Sequence, residues 1–167
     1  MKKKWFVVLL ILLLCFSFVS CDKDKDTEET NTTKVQEKET TIKGEKFETD
    51  DFTMIIADGF SKLEIDGGVQ AYKSNDMIEI WLRGFNNTEN DAKNGAENLS
   101  KTYKGTEVQK TNLFGLDFYQ TTFEAFGNPQ TVYVGIKDGK KVQIGVAGKG
   151  HETNEILQGM FKSISFK

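Results

Sequence analysis

His151 is the only histidine in the chain, so any Ser-His-Asp relay or imidazole metal site would have to use it. No Gly-x-Ser-x-Gly elbow accompanies it, which removes the usual hydrolase frame. It stands in Gly150-His151-Glu152 before a helical stretch, where a surface or capping role is expected. Gly145-Val146-Ala147-Gly148-Lys149-Gly150 has the outline of a phosphate loop, but that motif needs Ser or Thr after the lysine. Gly150 holds that position, so a flexible strand-to-helix turn is expected. Glu79, Asp117 and Glu124 fall on strands. Paired carboxylates hydrolyse glycosides only when they face each other across about 5–10 Å, and solvent-facing strand residues are the simpler expectation. Asp22-Lys23-Asp24-Lys25-Asp26 opens like a calcium loop, yet the positions that need Gly and Glu hold Thr27 and Thr33. No group of soft or imidazole ligands exists for zinc. The sequence therefore predicts no catalytic, cofactor or metal residues.

One cysteine carries chemistry of another kind. Lys2, Lys3 and Lys4 precede an apolar run from Trp5 to Val19, broken only by Ser17; Ser20 and Cys21 follow, then a charged stretch. A cationic start, an apolar middle and a small residue at the cut define a secretory signal. The run is shorter than the roughly 20 residues of a spanning helix. Cys15 follows the large Leu14 and is the poorer cleavage position. Phe18-Val19-Ser20-Cys21 resembles a bacterial lipobox, with Phe in place of the usual Leu. That resemblance implies removal of residues 1–20 and a diacylglyceryl, palmitate-bearing Cys21. One acyl chain holds a protein marginally and two hold it stably, so a cell-membrane anchor without a spanning helix is expected. The remaining chain then has no thiol for a disulfide, a nucleophile or a metal.

Residues 21–47 are rich in Asp, Glu, Lys, Thr and Asn, with Val35, Ile42 and Phe47 as the only sizeable apolar groups. Such a segment buries too little surface to offset its conformational entropy. It is expected to be a disordered acidic tether, reaching roughly 25–30 Å as a coil. Residues 48–167 suit one domain. The whole chain has a net charge of −3, which is no nucleic-acid footprint.

The domain must be built from strands and two helices. Phe52, Met54 and Ile56 alternate, and Val69–Lys73 and Met77–Phe85 follow across turns. Thr88 with Asp91 predicts a helix start, and Ala92, Ala96, Leu99 and Tyr103 its apolar stripe, ended by Gly105. Strands are expected near 106–113, 116–126, 131–137 and 141–147, with Asp138-Gly139 a type I′ turn signal. Val132, Val134 and Ile136 are expected to face Val142, Ile144 and Val146. A second helix begins near Thr153 with Ile156, Leu157, Met160 and Phe161 on one side, and 163–167 closes as a strand. The fold class is α+β, a mainly antiparallel sheet of about seven to eight strands with two flanking helices.

This order, the opening Phe52–Gly59 (FTMIIADG) and the ending Ile156–Lys167 (ILQGMFKSISFK) resemble the PsbP/Mog1-like fold. The resemblance implies an adaptor or accessory role more than an enzymatic one and carries no site residue over.

Met77, Trp81, Phe85, Tyr119, Phe123 and Tyr133 fall opposite the core positions of their strands. A sheet face turned to water carries polar residues, so these six form either a second core under a helix or a binding patch. The expectation is a non-enzymatic, lipid-anchored module on the extracytoplasmic face of a bacterial, and on compositional style Gram-positive, membrane. Its partner would be an envelope protein or ligand. The alternatives are a small envelope-polymer hydrolase using paired carboxylates and a carrier of a small apolar ligand.

Overall fold

The computed structural model describes residues 42–167. The signal, Cys21 and the tether as far as Thr41 lie outside the described residues. In chain order the elements are β1 (Gly44–Glu48), β2 (Phe52–Ala57), β3 (Ser61–Ile65), β4 (Gly68–Lys73), β5 (Asp76–Arg83), α1 (Glu89–Tyr103), β6 (Gln109–Leu113), β7 (Leu116–Ala125), β8 (Asn128–Lys137), β9 (Lys140–Ala147), α2 (Glu155–Lys162) and β10 (Ser165–Phe166). The domain is α+β with antiparallel sheets. Its two helices match the sequence reading, and its ten strands exceed the expected seven to eight.

The extra strands are β1 and β3. The tether was expected to run to Phe47 and the domain to start at 48, but β1 begins at Gly44 and buries Phe47 to 8% exposure. Phe47 sits across from Met54 and Ile42 packs against the same core, so two apolar side chains dock a segment that is otherwise polar. β3 is exposed along almost its whole length. It has no alternating apolar face to read, and its pairing with β4 places it at the sheet edge.

The long sheet runs β3-β4-β5-β9-β8-β7-β6, and β1-β2-β10 form a second sheet. The core face of the long sheet carries Ile78, Ile80, Phe118, Val142 and Ile144, all at 0% exposure. Phe52 and Met54 of β2 and Leu157 and Met160 of α2 complete this cluster. Each such side chain contributes about 1.5–3 kcal/mol by burial. The opposite, second face is packed by α1, whose Ala92 and Ala96 meet Phe123, Val132 and Val134.

The facing of β8 and β9 differs from expectation. Asp138 and Gly139 form the turn, with φ of 50° and 75°, as type I′ requires. A two-residue turn between Lys137 and Lys140 then pairs Val132 with Gly145, Val134 with Gln143 and Tyr133 with Ile144. Val132, Val134 and Ile136 therefore lie on the α1 side, and Val142, Ile144 and Val146 on the core side. The same parity moves Tyr133 to the core face.

The caps place α1. The Asp91 carboxylate accepts from the Thr88 N–H at 2.7 Å and its hydroxyl at 2.8 Å, as the Thr-x-x-Asp spacing predicts. At the far end the left-handed residue is Lys104, φ 53°, not Gly105. Gly105 is needed instead for close approach: a Cβ there would stand 2.8 Å from the Thr122 carbonyl oxygen on β7. Asn154 caps α2, its Oδ1 accepting from Ile156 N–H at 3.1 Å and Leu157 N–H at 3.2 Å.

Candidate functional site

α1 packs mainly on β7 and β8, touches β9, and is tied to β6 through Glu89 and Lys110. The β3-β4-β5 half of the second face is left open, with Leu63 53% and Tyr72 42% exposed. At one end of this open half two turns come together, Ser74-Asn75 between β4 and β5 and Phe126-Gly127 between β7 and β8. Asn128 Nδ2 donates to the Asn75 carbonyl oxygen at 2.6 Å and ties them. Between them is an open-sided cleft of about 410 Å³ whose walls include Gln70, Tyr72, Met77, Phe126, Gln130 and Ala147. None of its lining residues bears a formal charge.

The six patch residues are not one surface. Met77 lines the cleft. Trp81 lies on the same face further along β5, its Nε1 donating to Glu79 Oε1 at 3.1 Å and the Arg83 guanidinium 4.7 Å from its ring centre. Phe85 is beyond the other end of β5 and 84% exposed. Tyr119 and Phe123 are packed in the α1 cluster. Phe123 stacks on Tyr103 with ring centres 4.7 Å apart and planes 6° apart. Tyr133 is on the core face, 5.2 Å from the Phe161 ring, and burial pushes its phenol pKa up. The aromatic face is thus core under α1 and open surface at β3–β5.

The cleft's other members escaped the sequence reading. Phe126 reads as the end of a strand, yet it is the first residue of a two-residue turn with φ 54° and is 100% exposed. Its partner Gly127, φ 74°, was the available signal. The turn precedes Asn128 and Pro129, which belong to β8. Pro129 is tolerated because β8 has not yet met β9, whose pairing starts at Gln130.

His151 is buried at 4% exposure rather than on the surface. Its Nδ1 lies 3.1 Å from the Gly148 carbonyl oxygen and its Nε2 2.8 Å from Thr131 Oγ1. A carbonyl can only accept, so Nδ1 carries the hydrogen. The ring fastens the turn at 148–153 to β8. The phosphate-loop outline, residues 145–150, covers the end of β9 and the start of this strand-to-helix turn. Of the carboxylates, Glu79 and Asp117 share the second face, with β9 and β8 between their strands. Glu124 points to the other face, alternating with Phe123.

A charged network lies at the start of α1. Lys110 Nζ lies 2.7 Å from Glu89 and 2.9 Å from Asp117, and Tyr119 donates to Glu89 at 2.6 Å. Hydrogen bonds from Lys110 and then Tyr119 hold the Glu89 carboxyl below its ordinary range. The bond to Glu89 raises the Tyr119 phenol. This network staples the start of α1 to β6 and β7. A second cleft, about 510 Å³ between β1 and the β3–β4 hairpin, carries both signs of charge in Lys46, Glu48, Lys62 and Glu64.

No protein-family model matches the sequence, and no curated protein matches it. Solved structures do. The cyanobacterial PsbP protein (CyanoP) from Synechocystis sp. PCC 6803 superposes with a TM-score of 0.53 at 7% identity, over 74% of this chain and 92% of that one. A protein from Bacteroides thetaiotaomicron superposes with a TM-score of 0.52 at 11% identity, over 74% of this chain and 48% of that one. At such identities the likeness defines the fold, and the domain has a PsbP-like fold.

Proposed function

We propose that this protein is a lipid-anchored, extracytoplasmic binding or accessory module of the bacterial envelope that performs no reaction of its own. The observation that carries the reading is the half-covered sheet. α1 seals β7 and β8 into a second core and leaves the β3–β5 half open, where Leu63, Tyr72 and Met77 adjoin a formed cleft. A cleft beside exposed apolar groups is where a small domain binds. The sequence supports the anchor: three lysines, the apolar run Trp5–Val19, then Ser20-Cys21. Two acyl chains on Cys21 suffice for stable membrane attachment.

Fractionation tests this directly. The native chain should partition with the membrane as a species processed at Cys21, and Cys21→Ser should be released or remain unprocessed. Unchanged processing and retention of the Cys21→Ser protein would refute the anchor.

A further inference from the structure

We infer that the uncharged cleft between the Ser74-Asn75 and Phe126-Gly127 turns binds a neutral oligosaccharide. The inference rests on the binding-module reading and gives it a ligand class. Charged residues make up 28% of the chain, yet none lines this cleft, whereas the cleft beside β1 is walled by lysines and glutamates. No lining residue supplies a counter-charge for an anionic or cationic ligand. A wholly apolar ligand would bury unpaired carboxamides, which costs about 1–3 kcal/mol per group.

Four lining residues are carboxamides: Gln70, Asn75, Asn128 and Gln130. Each offers a donor and an acceptor in one plane, the complement of neighbouring sugar hydroxyls. Two are already oriented. Gln70 Nε2 donates to Met77 Sδ at 2.8 Å and Glu79 Oε2 at 3.3 Å, which leaves its oxygen to accept. Asn128 Nδ2 is committed to the Asn75 carbonyl oxygen at 2.6 Å, which likewise leaves its oxygen. Such fixing lowers the ordering cost of binding.

The aromatic groups supply the second half of the chemistry. Tyr72 is 42% and Phe126 100% exposed, and such faces suit the C–H face of a pyranose ring. Phe126 is held there by a left-handed backbone, φ 54°, a conformation unusual for a bulky residue. A strained position persists where it is put to use. The cleft volume of about 410 Å³ falls in the range of small-ligand sites, about 300–1,000 Å³.

The test is an NMR titration of the full chain, held in a phosphocholine-headgroup detergent so that no detergent sugar competes, with maltotetraose and with the tetramer of N-acetylglucosamine. At least one sugar should give saturable shifts at Gln70, Tyr72, Phe126 and Gln130. Tyr72→Ala and Gln130→Ala should each weaken binding about tenfold, and Ile156→Ala on α2 should leave it unchanged. Absence of cleft shifts with both sugars, or full affinity in both cleft variants, would overturn the inference. Photo-crosslinking from position 72 in cells separates this outcome from failure of the parent reading. Capture of an envelope protein without sugar binding overturns the oligosaccharide alone, and absence of both overturns the module as well.

Discussion

Phe114 and Phe126 hold the same place in two consecutive two-residue turns at opposite ends of β7, with φ of 55° and 54° and a glycine after each, and end in opposite environments. Phe114 packs edge-on to Phe161 at 5.3 Å and to Phe166 at 6.0 Å. Phe126 is 100% exposed. A left-handed L-residue costs roughly 1–2 kcal/mol. Packing offsets that cost at Phe114, and nothing within the domain offsets it at Phe126.

The pair gives opposite mutational signs. Phe126→Asn should raise unfolding stability by about 0.5–1 kcal/mol, because Asn tolerates the left-handed region. Phe114→Asn should lower it by about 2–3 kcal/mol through lost packing. Urea unfolding at unchanged m-value measures both. A destabilised Phe126→Asn protein would mean that Phe126 has a packing partner.

Trp81 and Phe123 separate the two halves of the aromatic face. Phe123 is 7% exposed and stacked on Tyr103, so Phe123→Ala should cost about 3–4 kcal/mol. Trp81 is held by one hydrogen bond and the Arg83 guanidinium, and Trp81→Ala should cost about 1 kcal/mol. Equal losses in thermal or denaturant unfolding would contradict the division of the sheet into a covered and an open half.

Much of this fold is legible in the sequence where one signal dominates. Thr88 and Asp91 mark a helix start because the capping geometry is local. Ile78, Ile80 and Leu82 mark a core strand because their alternation is unbroken. β3 is not legible, since an edge strand such as Ser61–Ile65 buries no face. Val132 and Tyr133 take the opposite sides from the expected ones because both faces of β8 are packed. Its apolar face, Val132, Val134 and Ile136, lies under α1, so hydropathy does not say which face meets the main core. The Asp138-Gly139 turn does set the register of β8, through the parity that a two-residue loop imposes. The cleft is least legible, because it joins Tyr72 and Gln130 from strands far apart in the chain.

Gly135 is predicted to be intolerant of a side chain. It pairs with Phe118 across β7 and β8, and a Cβ there would lie 2.8 Å from a Phe118 ring carbon. Phe118 is fully buried at 0% exposure and has nowhere to move. Gly135→Ala should cost about 1–3 kcal/mol by overpacking, read as a lower denaturation midpoint. Gly115→Asn, where a Cβ meets nothing within 4 Å, should cost less.

His151 should behave as a structural fastener. His151→Ala removes the partner of Thr131 and of the Gly148 carbonyl, both in a buried setting. A loss of about 2–3 kcal/mol is expected, with faster amide exchange concentrated at residues 148–154. Exchange that stays slow in this turn while global stability falls would place the effect elsewhere.

Glu48 gives the domain an acid-sensitive link. Hydrogen bonds from Lys167 and then Lys46 hold its carboxyl down to about 2. Lys167 is further fixed by its N–H to the Asp51 carbonyl at 3.0 Å and its Nζ to the Thr49 carbonyl at 2.6 Å. Because the folded pKa is depressed, the stabilising contribution is present above the ordinary carboxylate pKa of about 4.3 and is lost as pH falls toward 2. The three groups are solvent-exposed, so added salt should shrink the effect. Unfolding midpoints of the native chain and Glu48→Gln, taken between pH 5 and pH 2 (roughly the window of that loss), should converge at the acid end and separate above it at low ionic strength. A constant gap across that window would show that Glu48 stabilises the junction of β1 and the last residue by packing rather than by its charge.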